Sequence, residues 1–160
     1  MSLIEKKHVR DIYNKIAEHF SITRAYQWPG IKQFINDLPK NSFIADIGCG
    51  NGKNMINENH TFVGMDFSIE LAKICVNKGK NCILGTNINI PFRNNIFDAT
   101  ISVAVIHHLS EEYSRRECVK ELIRITKPGG LIFIQVWSFE DKDYDNQDAY
   151  VKWTMRKTGK

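Results

Sequence analysis

The sequence predicts a doubly wound, mostly parallel α/β sheet, and three observations carry that prediction. Short, almost wholly apolar runs recur at 43–47, 61–66, 82–84, 97–105 and 131–136. Strands buried on both faces of a parallel sheet read this way, without polar alternation. Between several of these runs, apolar residues fall at three- and four-residue spacing, the mark of amphipathic helices. Strands alternating with helices build parallel sheets. The third observation is a glycine-rich turn after the first run, Asp46-Ile47-Gly48-Cys49-Gly50-Asn51-Gly52. Glycine accepts positive φ and leaves no Cβ in a ligand's way, and open α/β sheets bind ligands beyond the carboxyl ends of their strands.

The elements follow in order. Residues 4 to about 20 read as a helix whose stripe, Ile4, Val9, Ile12, Tyr13, Ile16 and Phe20, should face the core. Residues 19–30 leave that pattern and combine Arg24, Tyr26, Trp28 and Pro29. Such a loop suits a binding site; the alternative is that Trp28 packs between helices and Arg24 is solvated. Pro29 should open the next helix, with Ile31, Phe34, Ile35 and Leu38 inward. After the glycine turn, Lys53 to His60 leaves room for a crossover helix of two turns. Ser68 should cap a helix with Leu71, Ala72, Ile74, Cys75 and Val76 on or near its buried side, ending at Gly79. Cys82-Ile83-Leu84 reads as a third strand and Phe97 to Val105 as a fourth. Ser110 should cap a helix with Glu111 and Glu112 in its first turn and Val119, Leu122, Ile123 and Ile125 inward. Lys127-Pro128-Gly129-Gly130 should break it before a fifth strand, Leu131 to Val136. The chain thus divides into an N-terminal helical extension beside the site (1–40), an α/β core (41–139) and a charged tail (140–160), acidic first and then basic.

Composition narrows the possibilities. A chain of 160 residues with 42% hydrophobic content suits one domain with one core. It contains no apolar run of membrane-spanning length, and Met1 to Arg10 is too charged for a signal peptide. Cys49, Cys75, Cys82 and Cys118 form no C-x-x-C pair, so neither a zinc site nor a disulfide framework is expected. Scattered cysteines fit a reducing interior, hence a cytoplasmic or nuclear location. The net charge of +4 permits a nucleic-acid partner without requiring one.

The glycine turn can be read further. A dinucleotide fingerprint, G-x-G-x-x-G, would need glycine where Lys53 stands. Asp46 would repel a pyrophosphate and attract a cation, such as the sulfonium end of S-adenosylmethionine. Asp66, at the end of the next apolar run, has lone pairs for two ribose hydroxyls. A glycine turn with incidental acids is the plainer alternative. The pattern D-x-G-x-G-x-G followed by an acid resembles the first two motifs of the class I, Rossmann-like methyltransferases.

More of the chain joins that resemblance. His19-Phe20-Ser21, Thr23-Arg24, Trp28-Pro29, the Asp46-to-Lys53 loop, Asn89-Ile90-Pro91-Phe92, Phe97-Asp98, Ser102-Val103-Ala104-Val105-Ile106-His107-His108, Gln147-Asp148 and Trp153 together resemble the tRNA methyltransferases that act on 5-carboxymethyluridine at the wobble position. The likeness runs from about residue 10 to 153. It implies that Asp46, Gly48, Gly50, Asn51, Gly52, Asp66, Phe67, Thr86, Asn87, Ser102 and Ala104 hold S-adenosylmethionine and its product S-adenosylhomocysteine. It implies that Arg24, Trp28, His107 and His108, with Tyr26, form the catalytic site for the modified uridine. It also implies two macromolecular partners. One is tRNA, held at its anticodon stem-loop. The other is a small zinc-binding activator that adds a strand beside Cys82, Ile83 and Leu84, since an unpaired apolar edge invites such pairing.

Two departures from the family pattern stand out. Thr86 and Asn87 occupy the place of an acid that holds the adenine amino group. The family's last segment, with its closing hairpin, is expected to be missing or truncated, which would leave an open edge beside the fifth strand. The nucleophile implied by the resemblance is a carboxylate, ionised at neutral pH, so it needs alignment and exclusion of water rather than a general base. Arg24 suits bidentate alignment. His108 suits positioning of base or sugar, the alternative being a buried strand-end histidine, and the histidine pair lacks a third ligand for a metal. Lys6, Lys7, Arg10, Arg115, Arg116 and the basic terminus are candidate phosphate contacts, each equally readable as a solvated charge. A small-molecule methyltransferase and a silent, partner-binding scaffold are the competing readings.

Overall fold

The computed structural model describes residues 2–137 and Trp153. Five parallel strands form one sheet: β1 (Phe43–Ile47), β2 (Thr61–Asp66), β3 (Cys82–Leu84), β4 (Phe97–Val103) and β5 (Thr126–Gln135). Their order across the sheet is β3-β2-β1-β4-β5. From β1 the chain winds one way through β2 and β3, then returns to the other side of β1 for β4 and β5. The strand order therefore reverses between β1 and β4, the crevice where such sheets bind ligands. The glycine turn leaves β1 at that point.

Helices cover both faces. On one, α5 (Glu112–Ile125) seats Cys118, Leu122 and Ile125 against Ala45, Ile47, Met65 and Phe97. On the other, α3 (Pro29–Asp37) seats Ile31 and Ile35 against Ile44, Ala99, Ile101 and Val103. Pro29 opens α3 as its spacing predicted. Alternation along β1 sends Ile44 to the α3 side and Ala45 to the α5 side. Each buried isoleucine of α3 contributes roughly 1.5–3 kcal/mol, so the helix following the Arg24–Trp28 loop is part of the core. α4 (Ile69–Asn77) is capped by the Ser68 hydroxyl, which accepts from the Leu71 amide at 3.3 Å, and Gly79 follows its end with φ 75°.

Five expectations need correction. Val76 on α4 and Ile123 on α5, expected on the buried sides of their helices, are 51% and 58% exposed. Residues 53–60 form turns rather than a crossover helix. Their side chains bind their own backbone instead: Asn57 Oδ1 accepts from the Asn59 amide at 2.9 Å, the habit that makes asparagine a turn residue. The N-terminal helix runs from residue 3 to 23 as α1 (Leu3–Glu5), a π-helical turn (Lys6–Arg10) and α2 (Asp11–Thr23). Its stripe does not all face the core: Ile4 and Ile12 are exposed, while Val9, Tyr13 and Phe20 line a pocket. Ser110 does not cap α5. Its amide and hydroxyl donate to Glu5 Oε1 at 3.0 and 3.1 Å, and Glu111 takes the cap position without a side-chain bond. Finally, Lys127-Pro128-Gly129-Gly130 lies inside β5 as a bulge, between the pairs Phe97–Thr126 and Ala99–Leu131; Gly129 supplies its positive φ of 79°.

Candidate active site

The pocket opens at the carboxyl ends of β1, β2 and β4, under the N-terminal helix. Its empty volume, open mouth included, is about 1110 Å³. One side is the glycine turn. Gly48 has φ 80°, and a Cβ there would collide with the Val105 side chain. Gly52 has φ 73°, and a Cβ would lie 2.8 Å from Cys75 Sγ. Both positions therefore require glycine for conformation and for space.

Asp66 holds this side together. Its Oδ2 accepts from the Gly50 amide and its Oδ1 from the Ser68 amide, each at 2.8 Å. Asp66 also lines the pocket, and a carboxylate suits ribose hydroxyls as an acceptor. Burial raises its pKa to about 6, with those amide bonds pulling the other way. Asp46 lies deeper, fully buried on β1 behind the glycine turn and outside the pocket lining. Burial pushes its carboxyl up to about 8. Asn54 draws the value down slightly, yet neither oxygen of Asp46 has a hydrogen bond of acceptable geometry. A buried carboxyl left unsatisfied is expensive, and a ligand cation above it would remove that cost.

The other side comes from the N-terminal helix, its loop and the segment after β4. Arg24 is exposed at the mouth, with its guanidinium over the Trp153 ring, 5.4 Å from the centroid. Trp28 is half-buried, and Lys53 Nζ lies over its ring at 5.0 Å. Burial, and then the Arg24 charge, hold the Lys53 ammonium below its ordinary pKa. Two cations thus line this rim, each over its own indole ring. The Tyr13 hydroxyl and His108 Nε2 are 3.0 Å apart and hydrogen-bonded. Burial, with His107 adding to it, lowers His108 to about 3, so its ring is neutral. His107 packs edge-on against His108 and stacks on Trp137, with centroids 4.3 and 5.0 Å apart.

Side-chain bonds dock the two sides. Buried Asn51 Nδ2 donates to the Ser21 carbonyl at 3.2 Å and the Arg24 carbonyl at 3.4 Å. Gln27 Nε2 donates to the Asn54 carbonyl at 3.0 Å, and the Ser68 hydroxyl donates to Asn14 Oδ1 at 2.7 Å. At the far end, Glu5, only 3% exposed, takes both Ser110 donors.

The sequence expectations can now be placed. Gly48, Gly50, Asn51, Asp66, Phe67, Thr86, Asn87 and Ala104 line the pocket, as do Arg24, Trp28 and His108. Asp46, Gly52, Ser102 and His107 stand behind that lining rather than in it. Tyr26 is 87% exposed and turned away. Arg116 is paired with Glu112 at 2.6 Å and Arg10 with Asp11 at 3.2 Å, while Arg115 binds the Leu109 and Ser110 carbonyls; Lys6 and Lys7 are exposed. Gln147 and Asp148 lie outside the described residues. Sequence reasoning missed Lys53, Tyr13 and Glu5 as pocket residues. Lys53 had a signal, its place directly after the third glycine. Glu5 and Tyr13 had none, because their partners are about a hundred residues away in the chain.

The family described as "Methyltransferase domain" matches residues 45–134, the whole span from β1 to β5. A tRNA (carboxymethyluridine(34)-5-O)-methyltransferase of Schizosaccharomyces pombe is 38% identical over 161 residues, covering 96% of this chain and 70% of its own length. The chain belongs to this tRNA methyltransferase family. Its Arabidopsis thaliana member is 45% identical over 94% of this chain. The chain spans only 37% of that protein's length, and 34% of a probable tRNA methyltransferase 9B from Homo sapiens that is 40% identical. Among solved structures, a methyltransferase from Haloferax volcanii, in complex with the Trm112 methyltransferase activator, superimposes with a TM-score of 0.68 at 20% identity, over 79% of this chain and 59% of its own. A Thermotoga maritima SAM-dependent methyltransferase gives 0.62 at 24% identity, over 77% and 59%. Both likenesses carry the fold. Among the described residues, no helix is long and apolar enough to cross a membrane.

Proposed function

We propose that the protein esterifies the carboxylate of 5-carboxymethyluridine at the tRNA wobble position, with S-adenosylmethionine as donor. The supporting observation is a single pocket that joins the glycine turn and Asp66 to a rim of Arg24, Lys53, Trp28 and His108, in a chain of this family. The donor fits the residues on the first side. Gly48 and Gly50 leave room for it, Asp66 offers lone pairs to its ribose, and the unsatisfied Asp46 complements its positive end. Thr86 and Asn87 line the pocket and take the place of the expected acid toward adenine. When bound, S-adenosylmethionine supplies an electrophilic methyl group on a sulfonium.

The chain's own residues then align the acceptor. Arg24 and Lys53 receive the carboxylate, Arg24 through two parallel hydrogen bonds. Trp28 offers a face on which a base can stack. His108 is neutral and engaged by Tyr13, so it orients the nucleotide and takes no proton. None has to be taken, because a carboxylate is ionised at neutral pH. The effect supplied is proximity and orientation. tRNA would be held by its anticodon stem-loop, with Lys6 and Lys7 as phosphate contacts. A small zinc-binding activator would add a strand at the edge beside β3, where Leu84 is 54% exposed. The residues 1–40 would serve the acceptor side, 41–139 the donor, and the setting would be cytoplasmic or nuclear.

The test is methyl transfer from labelled donor to tRNA carrying carboxymethyluridine, with and without the activator. Label in that tRNA, absent when the uridine lacks its carboxylate, is the expected result. Label in small metabolites and none in tRNA would overturn the proposal.

A further inference from the structure

Below the glycine turn, on the side away from the acceptor rim, three cysteines converge. Cys49 comes from the turn, Cys75 from α4 and Cys82 from β3, and all three sulfurs lie within 4.8 Å of one another. Cys49 Sγ and Cys82 Sγ are 3.4 Å apart. Cys49 and Cys75 are buried, and Cys82 is half-buried at the sheet edge. Three thiolates bound to one metal about 2.3 Å from each sulfur stand roughly 3.8 Å apart, so the cluster needs little movement to close on an ion.

Met55 packs in the same buried cluster as Cys49 and Cys75. A Cβ placed on Gly64 would lie 2.7 Å from Cys49 Sγ and 3.0 Å from Met55 Sδ, so both sulfurs press on the same glycine. Gly52 makes the corresponding room for Cys75. Buried cysteines often serve as small hydrophobes. Packing alone, however, does not call for three thiols and a thioether from four separate places in the chain to meet. The protons are also unevenly held. Donation from Cys49 and Cys82, aided by the Lys80 and Lys78 charges, keeps the Cys75 thiol low; the same contacts, with burial, push Cys49 high.

We propose that Cys49, Cys75 and Cys82 bind a soft monovalent cation, copper(I), as three thiolate ligands, with Met55 as a weaker fourth donor. Thiolate and thioether donors together select such an ion over harder ones. Binding releases the remaining thiol protons to solvent, and Lys78 and Lys80 offset the charge left behind. The ion has a route in, since Cys49 also lines the pocket. Because Cys49 sits between Gly48 and Gly50, occupancy also stiffens the turn that holds the methyl donor, and the two ligands must influence each other reciprocally. None of this depends on the tRNA reading.

The test uses the full chain, reduced and anaerobic, titrated with copper(I) held by bicinchoninate, whose colour reports the ion it retains. The wild-type protein should withdraw one equivalent. Cys75→Ser and Cys82→Ser should weaken uptake by at least about 100-fold, more than the loss of an outer-shell partner would. Cys118→Ala, on α5 and outside the cluster, should match wild type. Copper-edge X-ray absorption of the loaded wild-type protein should show three or four sulfur neighbours; this needs no variant to fold. No uptake by the wild-type chain, uptake unchanged in folded Cys82→Ser, or nitrogen and oxygen neighbours at copper would each overturn the proposal.

Discussion

The two sides of the pocket are built on different principles. The side proposed for the donor is local: Gly48, Gly50, Asn51 and Asp66 belong to one strand–turn–strand unit and are fixed by positive-φ glycines and backbone amides. The acceptor side is assembled from afar. Arg24 and Trp28 arrive on a loop tied down by Asn51 and Gln27, while His108 arrives behind β4 and meets Tyr13 across the pocket. The first side is buried and preorganised, and the second is half-exposed and held by a few side-chain bonds. In the proposed reaction the donor demands a fixed cradle, whereas an RNA acceptor enters and leaves through a mouth that can adapt.

That contrast can be broken from either side. The largest effect is expected from Gly48→Ala, which adds a Cβ at φ 80° into Val105. Affinity for S-adenosylhomocysteine, followed by calorimetry, should fall by at least about 100-fold, as expected for a misplaced site. Asn51→Ala should come next. It cuts the joint between the sides and leaves the Ser21 and Arg24 carbonyls without their donor, at a cost of about 1–3 kcal/mol in denaturant midpoint experiments. Methyl transfer should suffer more than donor affinity.

Acid–base behaviour sharpens the donor side. Asp46 titrates at about 8 in the fold against an ordinary 3.8. The native protein therefore holds a proton that the unfolded chain releases, and stability falls as pH rises from about 4 to 8. Asp66, at about 6, adds to this up to that pH. His108 acts oppositely: at about 3 against 6.5 it stays neutral in the fold while the unfolded chain gains a proton, so stability falls as pH drops through that window. Asp46→Asn should flatten the alkaline part of the profile, leave the protein more stable than wild type at pH 9, and abolish the rise in donor affinity expected between pH 6 and 8 as Asp46 ionises against a cationic ligand. The smallest effect is expected from Ala104→Gly. Ala104 lines the pocket at φ 59°, and relief of that strain should stabilise the protein by about 1–2 kcal/mol.

The same contrast explains what could be read from the chain. The five strands, the glycine turn, Asp66 and the Ser68 cap follow from local pattern, and the structure has them close to where the pattern put them. The misreadings share a cause. Ile4 and Ile12 keep helical spacing yet face solvent, because the helix spans a pocket rather than a core. Ser110 looked like a cap until Glu5, 105 positions away, claimed its donors. The cysteines showed no ligand spacing because their meeting depends on β3 lying beside β2. Side chains whose partners are chosen by tertiary packing leave no periodic trace.

The central claim is that donor and acceptor sides share one pocket yet act separately. The direct measurement is Arg24→Ala, assayed by calorimetric titration of S-adenosylhomocysteine and by methyl transfer to carboxymethylated tRNA on the same preparation. Donor affinity should stay within about twofold while transfer falls on the order of 100-fold. A parallel loss of both would contradict the account and make Arg24 a support of the donor turn.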